Sequence, residues 1–453
     1  RGQLYQHYDG AGVTTSLAFD FKGKLLASAR QLTNQYQQTM DWSALAGLSD
    51  PNQIASAAAP SLQDEIFTAS STFDARGRPI TMTTPDGSIA RPVFNEANLL
   101  EQMSVNLRGA ATATPFITNI DYNAKGQRTL IEYGNGASTS YLYDPETFRL
   151  MELKTTRASD GAILQDLIYA YDPVGNITSI EDAAQETIYF ANQVVSANAD
   201  YTYDALYRLI SATGREHIGQ VSQPQTTWDD APRMNQPLPT DGQAMRNYQE
   251  SYAYDAMGNI LEMIHRAVNG NWTRTYAYDE PNAQTSNNRL TSTTVGALKE
   301  AYQYDRHGNM TQMPHLPRMA WDFKDQLAST QRQVVKDGNG TAETTYYVYD
   351  TTGQRVRKIT QSSSGVRRQE RIYLGEYEVY REYTRDGSTV TLERQTLHVM
   401  DDKHRVALVE TRTRGTDRSS PQLARYQFSN HLDSAALELD GQGQIISYEE
   451  YYP

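Results

Sequence analysis

The stretch YAYDAMGNILEM at residues 252–263 returns as YQYDRHGNMTQM at 302–313 and as YAYDPVGNITSI at 169–180. Tyr252 and Tyr254 stand two apart, so on an extended chain both rings face one side. Asp255 opens a four-residue turn closed by Gly258, with Asp first and Gly fourth as a type I turn prefers. A glycine of positive φ just after such a turn makes a G1 bulge and restores strand pairing. Asn259, Ile260 and Met263 carry the return strand. FDARGRPI at 73–80, YNAKGQRTL at 122–130 and YDTTGQRVRK at 349–358 obey the same rule. Each copy predicts a β-hairpin, because glycine and β-branched residues recur too often for sustained helix.

Working outward, an aromatic residue followed by Asp occurs at Tyr8, Phe19, Phe73, Tyr143, Tyr171, Tyr203, Tyr254, Tyr278, Tyr304, Trp321 and Tyr349, with looser copies at Phe94–Asn95 and Tyr122–Asn123. From Phe73 to Tyr349 most intervals are 17–32 residues, a spacing that marks a repeat architecture. Hairpins in series would pair edge to edge, each leaning on its neighbours, and such a strip twists and coils around a space. The expected fold is all-β: a long strip of antiparallel hairpins forming part of a hollow shell.

Composition agrees. Hydrophobic residues are 38% of the 453, and exchanging the 31 Tyr for the 29 Gly leaves that share unchanged, against a usual 45–50%. A filled globule of this size should be richer. Tyr outnumbers Phe by 31 to 10, and a Tyr hydroxyl needs a partner when its ring is buried, which suits a half-wet sheet. The net charge of −13 disfavours nucleic acid, whose phosphates demand Lys and Arg. Without Cys there are no disulfides, thiolate metal sites or Cys nucleophiles. No apolar run approaches the roughly 18 residues of a membrane span, and no signal-like segment follows Arg1. The ending YEEYYP reads as the interior of a longer protein.

Residues 30–66 and 215–250 break the rhythm. The first is rich in Ala, Gln and Leu and predicts short helices. The second holds four Pro and predicts an irregular excursion with a short helix near Gln243. The expected organisation is a repeat strip over 1–350 carrying these two insertions, followed by a variant β region over 351–453.

The repeats, in the form Y-x-Y-D-x-x-G-[NR]-[IL], resemble the Rhs/YD-repeat family. RYQFSNHLDSAALELDGQGQIISYEEYYP at 425–453 resembles the opening of the Rhs-associated core domain. DWSALAGL at 41–48 and DGQAMRNYQESYAYDAMGNI at 241–260 are similar to the Rhs-like parts of bacterial Tc-type toxin complexes, the B/C cocoon components or their fused relatives. The resemblance covers essentially the whole chain. It implies a strip spiralling into a hollow shell that encloses a C-terminal effector until delivery, exported from bacteria with a Tc translocation component. The self-cleaving aspartates of that family, its effector and its docking propeller map onto no residue of this chain. Open edges at both ends imply further Rhs sequence or a second chain completing the wall.

No residue is assigned a catalytic, cofactor-binding or metal-binding role. The repeat Asp residues fit turn formers. Ser138–Ser140 and Glu376–Glu378 spell the Ser-Thr-Ser and Glu-x-Glu of ADP-ribosyltransferases, but they lie too far apart for one small domain and lack a supporting Arg strand. The histidines, His7, His217, His265, His307, His315, His398, His404 and His431, form no metal motif. His307 occupies an exposed turn position. His398 and His404 flank Asp401 and Asp402, which invites a cation. His431 and Asp433 invite a His–Asp pair, but no nucleophile elbow accompanies them. YGNGAS at 133–138 reads as a hairpin tip, not a dinucleotide loop. Two readings compete: a structural container, and a YD-repeat surface module that adheres to cells or glycans.

Overall fold

The computed structural model describes residues 2–218, 242–278, 287–332, 342–401 and 403–453. Among these, strands pair antiparallel in almost unbroken sequence order. A 20-stranded sheet runs from Gln6–Asp9 to Leu298–Ala301, and an 11-stranded sheet runs from Arg318–Trp321 to Ile445–Tyr448. The hairpins Ile188–Phe190 with Gln193–Val195, and Gln303–Tyr304 with Met310–Gln312, stand apart. The change of sheet precedes the Tyr349 repeat, which sits inside the second sheet on Thr344–Tyr349.

The turn chemistry is that of the sequence. Asp255 Oδ1 accepts from the backbone N–H groups of Met257 and Asn259, both at 2.8 Å. The Gly258 N–H donates to Asp255 O at 3.2 Å and the Asp255 N–H to Asn259 O at 3.0 Å. Gly258 has φ +94°, and the register slips at Tyr254, which pairs with Ile260 while Ala253 pairs with Glu262. Phe73, Tyr122, Tyr171, Tyr203, Trp321 and Tyr349 slip in the same way. The geometry persists where the glycine is replaced: Asn98, Tyr207, Asp325 and Asp433 hold φ of 68°, 63°, 57° and 61°.

In eight of the motifs the aromatic residue before the turn has a separate task. The Tyr254 hydroxyl donates to Leu209 O of the preceding repeat at 2.7 Å. Tyr122 reaches Leu100, Tyr171 reaches Leu150, Tyr203 reaches Ile177, Tyr278 reaches Ile260, Tyr304 reaches Leu290 and Tyr349 reaches Leu327, all at 2.6–3.0 Å. The Trp321 indole N–H makes the same reach to Met310 O at 2.8 Å. Apart from Leu290, the acceptor is two residues past the glycine position of the earlier turn. Each aromatic residue is therefore a strut between consecutive hairpins, often with the earlier repeat's arginine over its ring, as Arg208 lies 4.8 Å from the Tyr254 centroid.

The insertion at 30–66 holds a helix, Pro51–Ala58, between 3-10 turns at Ser43–Leu45 and Ala59–Ser61. Asp50 caps it by accepting from the Asn52 and Gln53 N–H groups, with Pro51 in the first turn. Strands Leu25–Thr33 and Leu62–Phe73 run into both ends of the segment. One further 3-10 turn, Leu107–Gly109, lies outside the expected regions.

The helix expected near Gln243 is corrected. Residues 219–241 lie outside the described residues, and the flanks are a strand pair, Leu209–His217 with Met245–Tyr254. The alternation is real but polar: Arg246, Tyr248 and Glu250 are buried while Asn247 and Gln249 are exposed. A hydropathy pattern cannot register a period carried by Arg and Glu.

The two sheets also pack on each other. One apolar cluster joins Phe116, Ile117, Ile131 and Tyr133 of the first sheet to Val399, Tyr426, Phe428 and Leu437 of the second. Another joins Leu32 and Phe67 to Val356, Ile372 and Val379. The strip thus coils back over itself, and its layers are fastened by apolar cores at the seams.

Candidate functional site, a cleft at the seam between the sheets

Polar clamps accompany the apolar seams. The buried Arg357–Glu370 pair spans two strands of the second sheet, and Arg357 Nη1 donates to Thr33 O of the first at 2.7 Å. Arg381 pairs with Glu65 at 2.6 Å and Arg128 with Asp401 at 2.8 Å. Asn135, at a hairpin tip, donates to Asp440 O at 3.1 Å. Beside it Gly134 is obligatory, since a Cβ there would stand 1.8 Å from Pro115 O.

The segment ending the chain crosses this seam. Tyr448 donates to Asp182, Arg215 Nε reaches Glu450 at 3.0 Å, and Tyr452 donates to Glu216 Oε2 at 2.5 Å. Below Tyr452, Arg246 Nε donates to Glu216 Oε1 at 2.7 Å. His265 lies between Glu250, 3.1 Å from Nδ1, and Glu216, 3.3 Å from Nε2. Its ring stacks on Trp272 at 5.1 Å and on Tyr248 at 5.3 Å. Burial alone would push the imidazolium down, but the hydrogen bonds and charges of Glu216 and Glu250 outweigh it and hold His265 up at about 9. Burial likewise opposes ionisation of Glu216, yet its bonds to His265, Tyr452 and Arg246 keep the carboxyl below its ordinary range.

Between the strands and this terminal segment lies a cleft of about 700 Å³, walled by Leu167, Ile180, Tyr201, Tyr248, Leu432 and Tyr451 among others. Gln165, on Ala162–Tyr171, lines it, is wholly buried, and has neither amide atom hydrogen bonded.

The chemistry-bearing residues singled out in the sequence stand elsewhere. Ser138 and Thr139 pair across strands with Thr156 and Thr155, at 3.0 and 2.9 Å. Glu378 holds Arg371 at 2.7 Å and His398 at 3.2 Å. Asp401 is bound to Arg128, His404 faces Asp433 at 3.3 Å, and Asp402 lies outside the described residues. Among the described residues no group of three or more His, Asp and Glu could hold a metal ion. His431 sits edge-on to the Tyr169 ring at 4.9 Å, while Asp433 occupies a turn, so the two form no His–Asp pair. His307 is exposed and meets Asp325 at 2.8 Å. YGNGAS is a hairpin tip between Arg128–Tyr133 and Ala137–Tyr143. Sequence reasoning passed over His265. Counting outward from the Asp255 turn, with one residue for the bulge, places it opposite Glu250.

Comparison with known proteins decides the kinship. Over its whole length the chain is 31% identical to the toxin subunits YenC2 and YenC1 of Yersinia entomophaga. It superposes over its full length on the crystal structure of TcdB2-TccC3 with a TM-score of 0.83 at 31% identity. The chain is similar to the YD-repeat shells of Tc toxins. Residues 238–367 match the teneurin YD-shell family model. The fold also matches a chain of the Photorhabdus luminescens Tc holotoxin pore with a TM-score of 0.82. The chain spans under half the length of the YenC subunits, 46% and 45%, and 21% of the TcdB2-TccC3 chain. In this chain the motif residues are turn formers and struts.

Proposed function

We propose that this chain is a structural section of a Tc-type toxin shell, which encloses a toxic polypeptide effector until delivery. The carrying observation is full-length superposition on TcdB2-TccC3, together with a strip that coils back and is clamped to itself. The wall is completed by further Rhs sequence of the same protein or by a neighbouring chain, and it works with a Tc translocation component outside the producing bacterium. Residues 1–350 supply the repeat strip and 351–453 lead towards the core domain. The reading gives the chain no catalytic residue, cofactor or metal, because the repeat Asp side chains are engaged in their own turns. The adhesion reading has less support: the teneurin match covers residues 238–367, whereas the toxin-subunit matches cover the whole chain.

Electron microscopy of the intact protein, with limited proteolysis, tests this. A closed shell with density inside, and an effector resistant to protease until the shell is unfolded, is the expected result. A flat rod, or an effector cleaved as fast as in isolation, refutes it.

A further inference from the structure

Gln165 is the most anomalous side chain of the seam. A buried carboxamide left without partners costs about 1–3 kcal/mol, and native structures keep few such groups. Its position follows from a β-bulge. Thr155 pairs with Gln165 but Thr156 pairs with Ile163, so Leu164 is the extra residue. Bulges re-aim side chains and are common beside binding sites. Here Leu164 enters the apolar cluster joining the sheets, and Gln165 lines the cleft.

A carboxamide offers one planar donor and one acceptor side by side. In an extended polypeptide the N–H and C=O of one residue point to the same side, and that pair satisfies both at once. Around Gln165 the cleft is aromatic and aliphatic, through Leu167, Ile180, Tyr201 and Tyr248, and its volume lies within the range of ligand sites. The charged groups at its rim are already used: Asp182 by Tyr448, Arg215 by Glu450 and Glu216 by Arg246. Such a site recognises an uncharged guest bearing amides and apolar side chains, which is the chemistry of an extended polypeptide.

We propose that this cleft binds an apolar segment of the enclosed effector polypeptide, with the Gln165 carboxamide pairing the N–H and C=O of one residue of the guest. The source of the guest rests on the shell reading given above; the chemistry of the site does not. In effect the wall holds its cargo at a defined point through backbone recognition, which tolerates different effector sequences.

Two measurements test it. The purified protein is titrated with a capped leucine-rich tripeptide and with its depsipeptide analogue, in which the central N–H is replaced by an ester oxygen. The amide should bind about tenfold tighter, the equivalent of one hydrogen bond. In Gln165→Leu the two should bind alike, with no loss in melting temperature. Equal binding by the wild type, no binding at millimolar peptide, or discrimination surviving Gln165→Leu overturns the site. In the intact toxin subunit, a photo-crosslinking residue replacing Leu432 should label the effector at a confined segment. An effector that is protected from protease but unlabelled overturns the cargo assignment while leaving the shell standing. If no enclosed effector exists, the shell reading and the cargo assignment both fall, and the peptide pair still decides the site.

Discussion

Replacing Tyr254 by Phe isolates the strut from everything else the motif does. The ring stays, and with it the contact of Arg208, 4.8 Å from the centroid. The turn stays, since Asp255 and Gly258 are untouched. What goes is one hydroxyl, 2.7 Å from Leu209 O, leaving a carbonyl with a lost partner at a half-buried position. A net hydrogen bond contributes about 0.5–1.5 kcal/mol, so the expected loss is roughly 1 kcal/mol. Equivalent changes at Tyr122, Tyr171, Tyr203, Tyr278, Tyr304 and Tyr349 act at separate seams and should add. All seven together approach about 7 kcal/mol, comparable with the whole stability of an ordinary domain. Urea titration should show the midpoint falling stepwise at constant slope. Hydrogen exchange should locate the loss in the two strands that Tyr254 joins, Leu209–His217 and Met245–Tyr254. Tyr207→Phe, at an exposed turn position, is the control. If Tyr254→Phe matches that control in both assays, the strut carries no stability and the second tyrosine is only ring packing.

Gly258→Val should cost roughly 1–3 kcal/mol from backbone strain at φ +94° alone, since no atom lies within 4 Å of the added Cβ; an unchanged melting curve refutes the turn assignment. Gly134→Ala should be damaging for the opposite reason, steric contact with Pro115 O, and an unchanged melting temperature would show that the hairpin can yield. Arg357→Met should destabilise by about 3 kcal/mol by leaving buried Glu370 with only Tyr383 and the more distant Arg367, at 3.5 Å, and the Arg357→Met/Glu370→Met double variant should recover part of that in calorimetry; a double variant no better than the single refutes the pairing argument. His265 sits at about 9 in the fold against an ordinary 6.5, so its charged form stabilises fully below about 6.5 and this contribution fades as pH rises through about 9. Denaturation midpoints should fall across that window in the wild type and not in His265→Gln, and parallel profiles would sink the assignment.

The turn grammar was legible because it is local: Asp, Gly and a bulge are fixed by four or five consecutive residues. The strut was half legible. Tyr254 was placed on its strand, but its hydroxyl reaches back across an insertion whose length no local pattern encodes. The first part of the strand Met245–Tyr254, residues 245–250, was misread because its inward residues are Arg246, Tyr248 and Glu250, and burial there is bought by ionic pairing rather than by hydropathy. The cleft was invisible for the same reason at longer range. Gln165 and Tyr448 line one cleft only because the strip coils back, and no periodicity in either segment reports that.

A strip built from neighbour contacts alone would open easily. Hairpins stacked in one dimension open wherever one interface fails, since nothing beyond the next repeat holds them. The seams change that. Arg357 bonds Thr33, Arg381 pairs with Glu65 and Tyr452 bonds Glu216 across separations of 324, 316 and 236 residues, so local opening of one hairpin must also break a clamp to another layer. The order of strengths follows. Apolar seams resist any change of pH, whereas the clasp of Glu216, His265 and Tyr452 weakens when the carboxylate is protonated or the imidazolium is lost. The edge held by the chain's terminal segment, where a histidine joins the carboxylates, is therefore a part of the strip that responds to solution conditions near neutral and alkaline pH. Hydrogen exchange across a pH series should show Leu209–His217 opening before the strands of the Phe116 and Tyr426 core, and the reverse order would place the weak seam elsewhere.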